Sequence, residues 1–165
     1  MTSTPTATYR SWQKLPANGF GRALFSLGMC VRVPYFATVL PTVDRLEPGH
    51  CEVTAPKWWG VHNHIGTFHA IAACNLAEAA MGMLAEATVP VGHRWIPKAM
   101  NVRYLAKAQS RLRATATLDR IPDFDTVTEG TELTIPVSIR DRAGTEVVHA
   151  DITVWVTPAR PSASP

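Results

Sequence analysis

The chain has 165 residues, which is enough for one domain with a substantial hydrophobic core. A hydrophobic fraction of 46% and a charged fraction of 18% are typical of a folded globular protein and exclude a disordered one. The formal net charge of +3 is small, and no Lys/Arg run with interleaved aromatic residues occurs, so no nucleic-acid partner is expected.

Three widely spaced cysteines, Cys30, Cys51 and Cys74, form no CxxC pair. This pattern argues against a disulfide framework or a thiolate metal site, and it favours a reducing compartment, so a cytoplasmic location is expected. Residues 1–7 lack the apolar stretch of a secretory signal. No apolar run is expected to be long enough to span a bilayer, so no membrane partner is predicted.

The first third of the chain predicts short elements. Residues 1–16 are expected to form a flexible polar arm. Apolar residues at helical spacing predict a helix over 19–29, with Gly28 as a candidate terminator. Pro34 is expected to begin a second short helix. Residues 44–56 contain a Pro-Gly turn followed by alternating apolar and polar residues, which predicts a strand.

A long helix is predicted from Thr67 to about Thr88, a stretch without proline. Its apolar residues fall on one stripe at spacings of three and four: Ala70, Ala73, Cys74, Ala77, Met81 and Leu84. Thr67 is the predicted N-cap. Because many of its residues are alanines, the helix is slim enough to pack closely against a curved sheet.

The hydrophobic pattern changes to period 2 after Pro90, which predicts antiparallel strands with one covered face. Four strands are predicted, around residues 100–106, 112–118, 133–139 and 148–156. Residues 142–145 form the predicted hairpin turn between the last two. Residues 159–165 are expected to be a flexible tail. One helix and about five strands therefore predict a single α+β domain over 17–158, with the sheet curved around the helix.

The segment Asn63-x-x-Gly66-Thr67-x-His69-Ala70, with Glu78 beyond it, carries the most specific motif. It resembles the active-site segment of hotdog acyl-CoA thioesterases of the phenylacetic-acid type, and the chain resembles a less characterised branch of that superfamily. Tyr104-Leu105-Ala106-Lys107 is similar to the end of their second strand. The resemblance implies a hotdog fold, in which a curved antiparallel sheet wraps one long helix.

The resemblance also implies an activity, the hydrolysis of an acyl-CoA or related thioester at the interface of a homodimer or homotetramer. Glu78 is then the general base or nucleophile, and the backbone N–H of Ala70 or Ile71 donates to the oxyanion. Asn63 and His69 orient the reacting groups. No metal or cofactor is implied, and coenzyme A enters only as part of the substrate.

Further residues are expected to contact the substrate or shape its site. Gly66 serves the geometry of the backbone, and the candidate substrate-binding residues are His64, Thr67, Tyr104, Arg103 and Lys107. Arg111 and Arg113 join Arg103 and Lys107 as candidate phosphate contacts for coenzyme A, with a solvated charged face as the alternative.

Each site residue also has a structural interpretation. Glu78 fits an acid at the rim of the apolar stripe, paired with a basic residue across a dimer interface. His69 fits a capping or core histidine, and Asn63 fits an ordinary turn residue. His62, His64 and His69 lie close together with Glu78 beyond, but their spacing matches no established zinc motif.

One departure from the family pattern concerns the start of the helix. The family's His-Gly-Gly is His69-Ala70-Ile71 here, and Ile71 is expected to narrow the approach of the thioester. The alternative function is therefore a non-catalytic module that binds or senses acyl-CoA on the same fold.

Overall fold

The computed structural model describes residues 4–159, and every structural statement below refers to that range. The chain forms three α-helices and six strands: α1 (Ala7–Lys14), α2 (Gly19–Arg32), β1 (Thr42–Glu47), β2 (His50–Ala55), α3 (Ala70–Thr88), β3 (His93–Tyr104), β4 (Leu112–Thr117), β5 (Thr131–Arg140) and β6 (Glu146–Pro158). Short 3₁₀ helices span Pro34–Val39, Trp59–Val61 and Phe124–Thr126. All but one residue of the expected C-terminal tail, 160–165, lies outside the described residues.

The strands form one antiparallel sheet in the order β1-β2-β4-β5-β6-β3, and α3 packs against its concave face. This is the hotdog fold, as predicted. The sheet has six strands instead of five because residues 44–56 do not form one strand. Gly49 adopts a left-handed φ of 78° there, so the chain turns back and pairs β1 with β2.

Helix α3 is covered by protein on nearly every side. Thirteen of its nineteen residues are buried, so the amphipathic stripe predicted from sequence describes only part of the covered surface. The helix is also long and apolar enough to cross a membrane, so the expectation that no run reaches that length is wrong. However, 61% of the most apolar 18-residue stretch of this helix is buried within the protein. Its apolar residues therefore contribute to the core.

Two helix ends differ from the prediction. Helix α3 begins at Ala70, and its N-cap is His69 instead of Thr67. Helix α2 continues through Gly28 to Arg32. It ends there because the residue before Pro34 cannot easily keep helical dihedral angles.

The expected N-terminal arm contains helix α1, which is attached to the domain. Thr6 caps this helix, and its hydroxyl donates to the backbone carbonyl of Glu86 at 2.7 Å. Trp12 packs edge-to-face on Phe25 of α2, with ring centroids 5.1 Å apart. The segment was expected to be flexible because of its polar composition. Its apolar residues nevertheless recur every three positions and partly cover the core.

The junction between α1 and α2 gives a prediction about stability. A Cβ atom on Gly21 would lie 2.0 Å from the carbonyl oxygen of Pro16, whereas a Cβ on Gly28 of the same helix meets nothing within 4 Å. We expect Gly21→Ala to lower the free energy of unfolding by about 1–3 kcal/mol through overpacking. Gly28→Ala should raise it by about 0.5–1 kcal/mol through helix propensity. Urea denaturation measures both, and equal effects of the two substitutions would contradict this packing.

Candidate active site

The loop before α3 is closed by backbone hydrogen bonds and held against the rest of the domain. His62 forms an isolated antiparallel bridge with Phe68, and the N–H of His69 donates to the carbonyl of Val61 at 2.7 Å. The N–H of Phe68 donates to the carbonyl of Ala108 at 2.8 Å. Gly66 has a φ of 74°, a left-handed conformation that favours glycine. The loop therefore has a defined shape, and Gly66 serves its geometry.

Asn63 organises this loop from within. Its Oδ1 accepts from the N–H groups of Ile65 at 3.1 Å and Thr67 at 3.0 Å, while its Nδ2 donates to the Thr67 hydroxyl at 2.7 Å. The amide is thus largely occupied by loop contacts, and one Nδ2 hydrogen remains for a ligand. These contacts favour the interpretation of Asn63 as a turn residue. Thr67 is buried beneath the loop as its partner.

His69 caps α3 with its side chain. Its Nδ1 accepts a hydrogen bond from the N–H of Ile71 at 3.1 Å. A neutral imidazole that accepts at Nδ1 carries its proton on Nε2, so this tautomer, assigned from the hydrogen bond, offers a donor to the exposed side of the ring. Of the two candidate oxyanion donors, the N–H of Ile71 is therefore occupied. Among the described residues the N–H of Ala70 has no acceptor.

A cavity of about 360 Å³, here called the loop pocket, lies between this loop and the end of β3. Asn63, Thr67, Ala70, Tyr104 and Lys107 line it, which brings together five residues predicted for the site. Ile71 does not line it and is exposed, so the expected narrowing of the approach is not seen within one subunit.

Tyr104 joins the loop pocket to helix α3. Its hydroxyl lies 3.2 Å from the thiol sulfur of Cys74, a contact that the sequence did not predict. This hydrogen bond, together with partial burial, raises the pKa of Tyr104 to about 12. The phenol is a hydrogen-bond donor or acceptor at the edge of the pocket, and its raised pKa keeps it protonated well into the alkaline range.

Glu78 lies elsewhere in the subunit. It lines a cavity of about 580 Å³, here called the apolar cavity, between α1, α2, α3 and the start of β3. Most of its other lining residues are hydrophobic, among them Leu15, Phe25, Met29, Phe36, Met83 and Trp95. Within one subunit, Glu78 and Asn63 thus open on different cavities.

A second acid, Glu86, lines the same cavity but is already engaged. Its carboxylate accepts from the indole Nε1 of Trp95 at 3.2 Å. No hydrogen bond or ion pair reaches the carboxylate of Glu78 within residues 4–159. Both acids are half-buried, but within the described residues only Glu86 is engaged by a hydrogen bond, so Glu78 is the acid available for chemistry in this cavity.

The candidate phosphate contacts separate into different places. Arg111 and Arg113 line a third cavity of about 260 Å³ together with Arg140 and Arg142, here called the arginine pocket. Arg113 is also paired with Glu52 at 3.5 Å. Arg103 lines none of these three cavities. The sequence predicted only two of the four arginines in this pocket. Arg140 and Arg142 come from the β5–β6 hairpin, and only the sheet topology shows that this hairpin lies beside β4.

The loop histidines form no metal site. His62 and His64 are exposed, and neither lines a cavity described above. Across the part of the chain that the structure describes, no group of three or more His, Cys, Asp or Glu side chains is arranged to hold a metal ion.

The apolar cavity itself was not predicted from sequence. Part of its wall comes from α1, which was expected to belong to a flexible arm. The rest comes from α2, α3 and β3, which meet only in the folded structure. One local signal pointed to it: Glu78, Gly82 and Glu86 recur every four residues on α3. That spacing places two acids and the smallest residue on one helix face.

Comparisons with known proteins agree with this architecture. A family model described as a domain of unknown function, DUF4442, matches residues 21–156. The structural-genomics protein APC5556 is 40% identical, with a TM-score of 0.77 over 92% of this chain and 96% of its own. No protein with a curated description matches the chain.

Two more distant structures share the fold. PA5026 from Pseudomonas aeruginosa, a protein of unknown function described as a probable thioesterase, is 23% identical, with a TM-score of 0.77 over 95% of this chain and 99% of its own. Thioesterase HI1161 from Haemophilus influenzae is 14% identical, with a TM-score of 0.67 over 79% of this chain and 87% of its own. At these identities the likeness establishes the fold, which is that of hotdog thioesterases. The chain belongs to the DUF4442 family.

Proposed function

We propose that the protein hydrolyses an acyl thioester, with Glu78 as general base, at a site shared by two subunits of a homodimer. The observation that carries the proposal is the Glu78 carboxylate, half-buried in the wall of a large apolar cavity and without a partner in the described residues. An unpaired acid in a mostly apolar cleft is a candidate for proton transfer. The fold shared with thioesterases supports the same reaction class.

The sheet topology supports a two-subunit site. Strand β3 is an edge strand of twelve residues, with exposed side chains along much of its length. Long exposed edges favour pairing with another strand. Antiparallel pairing of two copies of β3 sets the beginning of one beside the end of the other. Trp95 near the beginning borders the apolar cavity, and Tyr104 at the end borders the loop pocket, so this pairing brings Glu78 toward the partner's loop.

The proposed chemistry uses one water molecule. Glu78 accepts a proton from the water as its oxygen attacks the thioester carbon. The carbonyl oxygen becomes an oxyanion that accepts from the backbone N–H of Ala70 and from Nε2–H of His69. The carbon–sulfur bond then breaks, and the thiolate takes the proton from Glu78, which gives a carboxylic acid and a free thiol. An oxyanion donor of this kind typically contributes about 3 kcal/mol.

Basic residues near the loop pocket support coenzyme A as the thiol carrier. Lys107 lies in the loop pocket, and Arg111 lies in the arginine pocket four residues later. Four residues span at most about 14 Å, so both pockets lie along one short connection. Guanidinium groups bind phosphate in a bidentate manner. Four arginines and one acid, Asp141, line the arginine pocket, so its net positive charge suits the phosphates of coenzyme A.

A non-catalytic module that binds acyl-CoA is the second candidate function. The observation that favours it is the His69 cap, which occupies the N–H of Ile71 and leaves Ala70 as the open donor at the first helical position. The two functions differ in whether thiol is released.

Substitution of Glu78 tests its proposed role as the base. Glu78→Gln keeps the shape of the side chain but cannot accept a proton, so we expect thiol release from an acyl-CoA to fall about 100-fold or more. Glu129→Gln, on an exposed loop, is the matched control and should keep the wild-type rate. Release is followed with a thiol reagent. Wild-type protein that binds acyl-CoA and releases no more thiol than the Gln variant would establish the binding module instead.

Two substitutions in different subunits test whether the site is shared between subunits. We expect Glu78→Gln to be slow as a pure dimer because the base is lost. We expect Asn63→Ala to be slow because the loop that positions Ala70 and His69 loses its internal hydrogen bonds. If the site is shared, a mixed dimer of the two variants carries both substitutions in one site and none in the other. The heterodimer, co-expressed and isolated with two affinity tags, should therefore regain activity at the intact site. A mixed dimer as slow as its parents would place both residues in one subunit's site.

Two substitutions of His69 separate its role as a helix cap from its proposed role as an oxyanion donor. His69→Asn keeps an oxygen that caps the helix, whereas His69→Ala removes the cap and should lower the free energy of unfolding by about 1 kcal/mol. If Nε2–H also donates to the oxyanion, His69→Asn should remain stable yet release thiol at least tenfold more slowly. Thermal unfolding and kcat are measured on both variants. A wild-type kcat for His69→Asn would leave capping as the only role.

A further inference from the structure

We propose that the apolar cavity receives the acyl group of the substrate, and that this group is an uncharged medium-to-long aliphatic chain. The inference rests on the proposed function, because Glu78 lines both the reaction site and the cavity. It adds the class of acyl group and the elements that select it. Helices α1 and α2 form the outer wall of the cavity, and α3 and β3 form the inner wall.

The size of the cavity favours a long acyl group. The cavity has a volume of about 580 Å³. A water molecule occupies roughly 30 Å³ in the liquid, so the cavity has room for far more heavy atoms than the three of an acetyl group. Cavities of this size are typical of sites that enclose a small organic ligand. An acetyl group would leave most of the apolar wall unfilled and forfeit those contacts.

The charges in the wall disfavour a charged acyl group. Two acids, Glu78 and Glu86, and one base, Arg32, are the ionisable residues among those that line the cavity. An acyl group ending in a carboxylate would meet more negative than positive charge in an otherwise apolar space. Burying such a charge without a dedicated partner is unfavourable.

Helix α1, in the N-terminal segment of the chain, forms part of the cavity wall. Ala7, Thr8, Ser11 and Leu15 face the cavity, and residues 7–14 lie before the stretch that matches the family model. Thr6 attaches the start of the helix to Glu86 on α3. Selection for acyl length therefore depends on a helix outside the matched domain.

The expected chain-length profile follows from burial of methylene groups. Each methylene that enters the cavity should raise kcat/KM about fourfold until the cavity is full. Wild-type kcat/KM should therefore rise from acetyl-CoA through hexanoyl-CoA to dodecanoyl-CoA.

Glycine positions on α2 allow the cavity to be filled without disturbing the fold. Gly28 lines the cavity, and a Cβ there meets nothing within 4 Å, so Gly28→Leu adds a side chain that can occupy the acyl space. Gly19 on the same helix is equally unobstructed but does not line the cavity, which makes Gly19→Leu the matched control. Gly28→Leu should lower kcat/KM for dodecanoyl-CoA at least tenfold and leave hexanoyl-CoA within about twofold. Gly19→Leu should keep the wild-type profile.

A second variant tests the wall from the other side. Ser11→Phe places an aromatic ring on the cavity face of α1 and should shift the profile to shorter chains, whereas Gln13→Phe, which does not line the cavity, should not. Circular dichroism and thermal unfolding establish that each variant is folded. Folded Gly28→Leu and Ser11→Phe variants with the wild-type profile would overturn the acyl assignment while leaving Glu78 as the base.

Binding measurements separate this proposal from the proposed hydrolysis. If the wild-type protein releases no thiol from any substrate, calorimetry with dodecanoyl-CoA and with free coenzyme A still tests the cavity. Gly28→Leu should then weaken dodecanoyl-CoA binding at least tenfold and leave coenzyme A binding unchanged. Equal binding of dodecanoyl-CoA by both proteins would reject the cavity as the acyl site.

Discussion

The burial of helix α3 is the constraint on which the rest of the structure depends. A helix that is apolar on nearly every side must be covered on nearly every side, and a curved sheet covers most of it. Helices α1 and α2 extend the cover toward β3 without filling the space, which leaves the apolar cavity beside Glu78. The acid therefore sits where the packing around the helix is incomplete, and its position follows from the way the core is closed.

The same constraint determines where the sheet ends. Because the sheet wraps one helix without closing on itself, β3 is left as a long edge with hydrogen-bonding groups on one side. Its two ends border two different cavities, one with the acid and one with the helix start. A site that needs both groups is incomplete in a single subunit. Pairing at this edge is the simplest way to complete it, which is why the proposed reaction requires a dimer.

Much of the fold could be predicted because its signals are local. Period-2 alternation located β4 to β6 and the second half of β3, whose residues 93–99 were missed, and the proline-free run located α3. The signals failed where distant residues decide the outcome. Helix α1 is polar by composition, and it is held by Trp12 on Phe25 and by Thr6 on Glu86, contacts that no local pattern shows. The β1–β2 hairpin was missed because its turn was placed at the start of one strand instead of between two.

The candidate site divides in the same way. Glu78 could be singled out from sequence because acids within an apolar helix are unusual, and α3 has only Glu78 and Glu86. The roles of Asn63 and His69 could not be predicted from sequence, because the same motif fits both a catalytic loop and an ordinary capped turn. Hydrogen bonds place Asn63 and His69 at least partly in the second role, where they shape the loop and fix a histidine tautomer. The motif therefore describes how the helix start is built.

Ala70 and Ile71 stand where the thioesterase motif that this segment resembles has glycines. Ala70 lines the loop pocket with its N–H open, whereas Ile71 is exposed outside the pocket with its N–H held by the cap. The replacement therefore keeps one donor at the helix start. In the proposed reaction, the developing charge on the oxygen is stabilised by that donor, by Nε2–H of His69 and by the helix dipole. In the proposed dimer, the arginine pocket of one subunit and the apolar cavity of its partner suit the charged and the apolar ends of one acyl-CoA molecule. Neither cavity alone suits both ends.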